Sequence, residues 1–175
     1  MAGSDRRLQE LILYVAERSE GDRRFGKTKL NKILFYVDFV AHRDLGQSIT
    51  GQEYRKLPFG PVASGVEPAL TRLEEAGDLV IRPERHSGYP QQRPLAVRRA
   101  DPNVFSGAEI ALIDEIIAEL WDHSARDVSD LSHDFIGWKA AESGAVIPYD
   151  TVCVNIEGPT DEDLEYARKL VAEGR

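Results

Sequence analysis

Four histidines, a single cysteine and a Gly-x4-Gly-Lys-Thr stretch carry the most obvious chemical potential in this 175-residue chain. His42, His86, His123 and His133 never recur at the i, i+3 or i, i+4 spacing that puts two ligands on one helix face. His42 reads as a partner for a helix C-terminus. Cys153 stands alone between Val152 and Val154, so neither an intrachain disulfide nor a thiolate metal cage can form, and it reads as a small core residue. Ser64-Gly65 lacks the Gly-x-Ser-x-Gly frame of a nucleophile elbow. Gly21, Gly26, Lys27 and Thr28 do match the phosphate-loop pattern. That motif needs a buried strand before it and a strand ending in Asp to hold magnesium. Here the preceding stretch, LQELILYVAERS, has the period of an amphipathic helix, and the match reads as coincidental. Acidic pairs such as Glu74-Glu75 and Asp161 with Asp163 fall on helix ends and surfaces. No constellation of nucleophile, base and oxyanion donor emerges. The expectation is a protein that is not an enzyme, with no cofactor and no metal.

Charge is distributed unevenly. Residues 1–43 hold nine Lys/Arg against six Asp/Glu, residues 44–100 hold eight against seven, and residues 101–175 hold five against seventeen. A sign split of this kind suits a polarised surface with a specific partner, or a solvated acidic face that maintains solubility. The single cysteine fits a reducing compartment. The first residues lack the apolar core of a signal peptide, and no stretch approaches the length needed to span a bilayer. The expected location is the cytoplasm. The length suits one domain with a trailing appendage.

The elements that would position these residues follow from periodicity. Leu8, Leu11, Ile12 and Val15 mark a helix over 4–18, and Leu30, Ile33, Leu34, Val37 and Ala41 mark a second over 27–43. The apolar run from Ile33 to Val37 predicts burial on more than one side. Lys27, Lys29 and Lys32 lie in its first turns against the helix macrodipole, as exposed solubilising charges or as a seat for an acidic partner. Ile49-Thr50 and Glu53–Leu57 suit short strands, with Pro61 opening a third helix over 62–76, kinked or begun at Pro68. Leu79–Ile81 and Pro94–Arg98 suit paired strands around a loop at 84–93. Ser106 and Glu109 form a capping-box signature before Ile110, Ile113, Ile116, Ile117 and Leu120. Short helices follow around Leu131, Phe135 and Trp138, and a last helix after Pro159.

A helix followed by a basic hairpin also suggests the recognition helix and wing of a DNA-binding protein. Arg72, Arg82, Arg85 and Arg98 would then meet nucleic acid, through phosphate neutralisation. Against this, Glu67, Glu74 and Glu75 share the supposed recognition helix with Arg72.

Three segments in order, KTKLNKILFYVDFVAH at 27–42, EYRKLPFGPVASGV at 53–66 and LSHDFIGWKAA at 131–141, together resemble the Panacea-domain (SocA-like) antitoxin family. Phe59 stands where that family often has tyrosine before Gly-Pro. The resemblance spans roughly residues 8–141. It implies an α+β, mostly helical fold with a small antiparallel hairpin resembling a winged helix. Residues 1–145 would form the domain, and residues 146–175 an extension packed on it. It further implies a bacterial or phage antitoxin that neutralises a cognate toxin protein by direct binding, with a protease or chaperone as a further partner. The residues singled out for partner contact are Lys27, Lys29, Lys32, Tyr54, Phe59, Gly60, Pro61 and Trp138. Gly60 and Pro61 suit a tight turn, and Tyr36 and Trp138 are of the type more often found in cores. A groove beside the Phe59-Gly60-Pro61 turn is the expected docking place.

Overall fold

The computed structural model describes residues 2–86 and 88–154; the helix expected after Pro159 lies outside them. Two long helices come first, α1 (Ala2–Arg18) and α2 (Lys27–Leu45). A hairpin of β1 (Tyr54–Leu57) and β2 (Gly60–Ala63) follows, then α3 (Val66–Glu75). A second hairpin pairs β3 (Leu79–His86) with β4 (Tyr89–Ala96). The described chain ends with α4 (Gly107–Glu119), α5 (Ala125–His133), α6 (Ile136–Ala140) and a short 3-10 helix at Tyr149–Cys153. The architecture is mostly helical α+β, with two small antiparallel sheets among the described residues.

Helix α2 forms the axis. Leu30, Ile33, Leu34, Phe35, Val37, Phe39 and Ala41 are all buried, because α1, α4, α5, the β1–β2 hairpin and the 3-10 helix surround it. This is the all-round burial that its unbroken apolar run demands. Around Phe35 and Phe39 the rings of Tyr54, Phe135 and Tyr149 assemble, with Phe35–Phe135 and Phe39–Phe135 centroids both 5.2 Å apart in edge-to-face contact. Ile147 is buried and its N–H donates to Tyr54 O at 2.8 Å, which ties this residue to β1. His42, in the last turn of α2, pairs with Asp150 at 2.8 Å. Helices α1 and α4 are laced by Arg7 to Glu109 (2.5 Å) and by Tyr14 and Arg18 to Asp114 (3.0 Å each).

Three expectations are corrected. Pro61 does not open a helix but lies in β2 opposite Lys56. The Lys56 N–H points away from β2 to Ala145 O (3.0 Å), so this pair exchanges no ladder bond and proline's missing donor goes unneeded. Helix α3 then starts at Val66, with Pro68 in its first turn where no intrahelical N–H is required. The loop expected at 84–93 is mostly strand. Ile81 N–H is turned outward to Glu74 Oε1 (3.1 Å), and Pro83, Pro90 and Pro94 share its outward parity in the register. The prolines therefore break no ladder bond, and they deprive both ribbon edges of donors that another strand could use. Cys153 is exposed in the 3-10 helix instead of buried in a strand.

Candidate partner-docking surface

The β1–β2 hairpin turns on Pro58 and Phe59, with Leu57 and Gly60 as its last pair. Gly60 has φ +102, a conformation open to glycine and strained for other residues. Glycine is required here for space as well. A Cβ at this position would collide with Ser132 Oγ and come within 2.6 Å of Lys32 Nζ. The hairpin thus presses its backbone directly onto α2 and α5.

Lys32 secures it from below. Its side chain is 1 % exposed, and its ammonium donates to Pro61 O at 3.2 Å. Burial lowers its pKa from 10.5 to about 8. The unfolded chain therefore holds this proton more tightly than the folded one. The desolvation penalty is fully present below pH 8 and fades as pH rises toward 10.5. The stability difference between the parent and Lys32→Met is expected to move in the parent's favour by about 2 kcal/mol between pH 8 and 10, read by urea denaturation. A difference that stays level over that window would show that the amine is not desolvated.

With its base held, the hairpin tip is presented outward. Phe59 is 77 % exposed and Leu57 is 41 % exposed. On the flank, Trp138 of α6 donates its Nε1–H to Leu57 O (3.2 Å), stacks on His133 at 4.2 Å between ring centroids, and carries the Lys56 ammonium 4.3 Å over its ring. Leu131, beside Ser132, is 46 % exposed. The surface consists of a projecting aromatic ring, two aliphatic residues and a partly exposed indole, with Asp134 and Lys139 paired at 3.0 Å near the α5–α6 corner. Exposed apolar side chains of this kind are a common feature of protein contact patches.

The residues singled out from the sequence separate into three groups. Phe59, Gly60, Pro61, Lys32 and Trp138 converge on this hairpin, where Phe59 and part of Trp138 face solvent while Lys32, Gly60 and Pro61 are buried support. Tyr54, at the far end of β1, is 1 % exposed and donates to Asp38 Oδ2 at 2.8 Å, inside the core. Burial and the nearby Asp38 push its hydroxyl pKa far up. Lys27 and Lys29 lie at the start of α2, away from the hairpin. Lys27 pairs with Glu67 (2.7 Å), and Lys29 is buried on Asp22 (2.5 Å) and His123 O (3.0 Å). The expectation of three exposed lysines on α2 is therefore corrected for Lys29 and Lys32. Each is drawn inward because an oxygen waits there, from Asp22 in one case and Pro61 in the other. Sequence reasoning missed Leu57, Leu131, Lys56 and His133. Only the apolar type of Leu57 beside Pro58 hinted at a sticky turn.

Of the arginines in the nucleic-acid reading, Arg82 and Arg85 line one cavity on the β3–β4 ribbon, while Arg72 and Arg98 do not line it. Arg98 is tied to Glu10 (2.9 Å) and Asp78 (2.9 Å), Arg82 pairs with Glu84, and Arg85 donates to Gly88 O at 3.2 Å. Arg72 is exposed on α3 beside exposed Glu74 and Glu75. No helix among the described residues is long and apolar enough to cross a membrane.

The family model described as antitoxin SocA-like, Panacea domain matches residues 30–139, a span that contains α2 from its fourth residue on, both hairpins, α3, α4, α5 and nearly all of α6. No curated protein and no solved structure matches the chain.

Proposed function

The chain belongs to the SocA-like antitoxin family with a Panacea domain, and on that premise we propose that it neutralises a cognate toxin in the cytoplasm by binding it directly, without catalysis, through the β1–β2 hairpin tip. The observation that carries the reading is Phe59, a large aromatic ring 77 % exposed on a turn whose next two residues, Gly60 and Pro61, are buried. Rigid aromatic anchors lose little conformational entropy on docking and often dominate interface energies. Leu57 beside the turn and Trp138 bonded to its carbonyl supply apolar surface next to such an anchor.

Nucleic-acid binding is less well supported. Arg82 and Arg98 are engaged by carboxylates, and α3 carries Glu67, Glu74 and Glu75 beside Arg72, so phosphate would meet few uncompensated charges.

The test is co-expression with the product of the adjacent reading frame, followed by growth rescue and co-purification. Phe59→Ala should weaken the complex by at least tenfold, about 1.4 kcal/mol or more. Its melting temperature should stay close to the parent's, since the ring is solvent-facing. Unchanged affinity in Phe59→Ala and in Leu57→Ala/Leu131→Ala would remove the hairpin from the interface. Failure of the parent to co-purify or rescue would remove the reading itself.

A further inference from the structure

Helix α2, the N-terminal turn of α5 and the tip of the β3–β4 ribbon enclose a second feature, a cavity of about 600 Å³. In a chain of net charge -8, no aspartate or glutamate among the described residues lines it. Arg24, Lys27 and Arg126 do, with the Thr28 hydroxyl, and Tyr89 and Pro90 form one wall. Arg24 makes no ion pair within 4 Å among the described residues, although its charge, after the Ser124 N–H, helps hold the Asp127 carboxyl low, and Arg126 has only Asp130, at 3.8 Å and with both side chains largely exposed. Asp127 is turned back onto the Ser124 N–H at 2.7 Å, which closes the cap of α5. Another cavity, of about 410 Å³, differs in that Glu20 and Glu84 stand among its four arginines.

The start of α2 adds donors to this cationic space. Its cap residue is Gly26, no side chain caps it, and no acid stands in its first turn. Elsewhere in the fold α4 and α5 each carry a complete capping box. The first N–H groups of a 19-residue helix thus open beside Arg24 and Arg126 without a carboxylate to receive them. A side chain at Gly26 would displace Gln91, because its Cβ would lie 2.8 Å from Gln91 Cγ.

We infer that this cavity binds a small phosphate-bearing anion. Two guanidinium groups, a hydroxyl and a helix start offer more donors than one carboxylate can accept, whereas the oxygens of a phosphate or pyrophosphate can engage them together. Tyr89, 77 % exposed, gives a flat face on which a base could stack. The site is not the phosphate loop that Gly21, Gly26, Lys27 and Thr28 match in sequence. A helix precedes it, Lys27 is engaged by Glu67, and the Lys29 ammonium is spent on Asp22. What the structure keeps of that motif is its last three residues, opening a helix onto a cationic cavity.

The experiment is thermal denaturation of the full chain with sodium pyrophosphate or ADP, against sodium chloride at equal ionic strength. At about a hundredfold excess over Kd, at least one of the two phosphates should raise the melting temperature by roughly 5–10 °C beyond the chloride control. Calorimetry on Arg24→Ala/Arg126→Ala should show affinity down at least tenfold. Both residues are exposed, so this variant should fold. Tighter binding of ADP, weakened by Tyr89→Ala, assigns a nucleotide; equal binding of the two, unmoved by Tyr89→Ala, assigns free polyphosphate. No shift with either anion, or an equal shift in the double variant, overturns the inference. Phe59→Ala should leave anion binding intact, so this site and the toxin-docking hairpin fail separately.

Discussion

Asp38→Ala is expected to destabilise the protein by about 3–5 kcal/mol, because buried donors lose their acceptor at about 1–3 kcal/mol each. Asp38 is 0 % exposed in the middle of α2. Its carboxylate accepts the Thr50 N–H at 2.7 Å, the Thr50 hydroxyl, and the Tyr54 hydroxyl at 2.8 Å. One side chain therefore joins the central helix to the segment before β1 and to β1 itself. Burial raises the Asp38 pKa above 3.8 even against these donors. Its contribution to stability consequently falls as pH rises through the folded-state pKa. Alanine removes that desolvated charge, but it also removes every acceptor, and in a packed aromatic core the orphaned donors weigh more. Asp38→Asn keeps one carbonyl oxygen and should cost clearly less. Denaturant unfolding followed by circular dichroism measures both. Alanine within 1 kcal/mol of the parent would mean that the donors find other partners. By the usual scaling the loss corresponds to a fall of about 10 °C in melting temperature.

Gly60→Ala is the second large effect, at about 3 kcal/mol. Two causes add. An L-residue at φ +102 is strained by about 1–3 kcal/mol. Its Cβ also collides with Ser132 Oγ and crowds Lys32 Nζ at 2.6 Å. The lysine end can shift, but Ser132 is 0 % exposed and its hydroxyl donates to Ser129 O at 2.7 Å. The steric part can therefore be isolated. In Gly60→Ala/Ser132→Ala the clash should be relieved, so the double variant should be more stable than the sum of the single changes by at least 0.5 kcal/mol. Strict additivity would place the whole cost in the backbone. Because the hairpin carries Phe59, Gly60→Ala should also weaken toxin binding, even at temperatures where the chain remains folded.

Much of the fold was legible from local pattern. The capping box at Ser106 and Glu109 is complete in the structure, with both reciprocal bonds formed (3.2 and 2.7 Å). The unbroken apolar run of α2 correctly implied a helix buried on several sides. A second capping box, at Ser124 and Asp127, was written in the same code but with the shorter acid, and went unread. The prolines misled because their cost depends on the direction in which a missing N–H would point. That direction is set by the partner strand, which composition does not contain. So Pro61 looked like a helix start, and Pro83, Pro90 and Pro94 like loop.

The candidate sites divide along the same line. Residue order alone determined the family and the main helices. It also placed an aromatic residue before Gly-Pro and a Gly-Lys-Thr step at the start of a long helix. These depend on side-chain type and on neighbours within a few positions. Tertiary structure decided which of those residues face solvent. Lys29 and Lys32 look alike in sequence, yet Asp22 receives one and the Pro61 carbonyl the other, and both leave the surface. Phe59 remains outside on a turn whose next residue, Gly60, lies close against Ser132 and Lys32. Arg24 and Arg126 lie about a hundred positions apart and share a cavity only after α2 and α5 have packed. Burial and charge proximity are sums over partners distant in the chain, and packing alone brings those partners together.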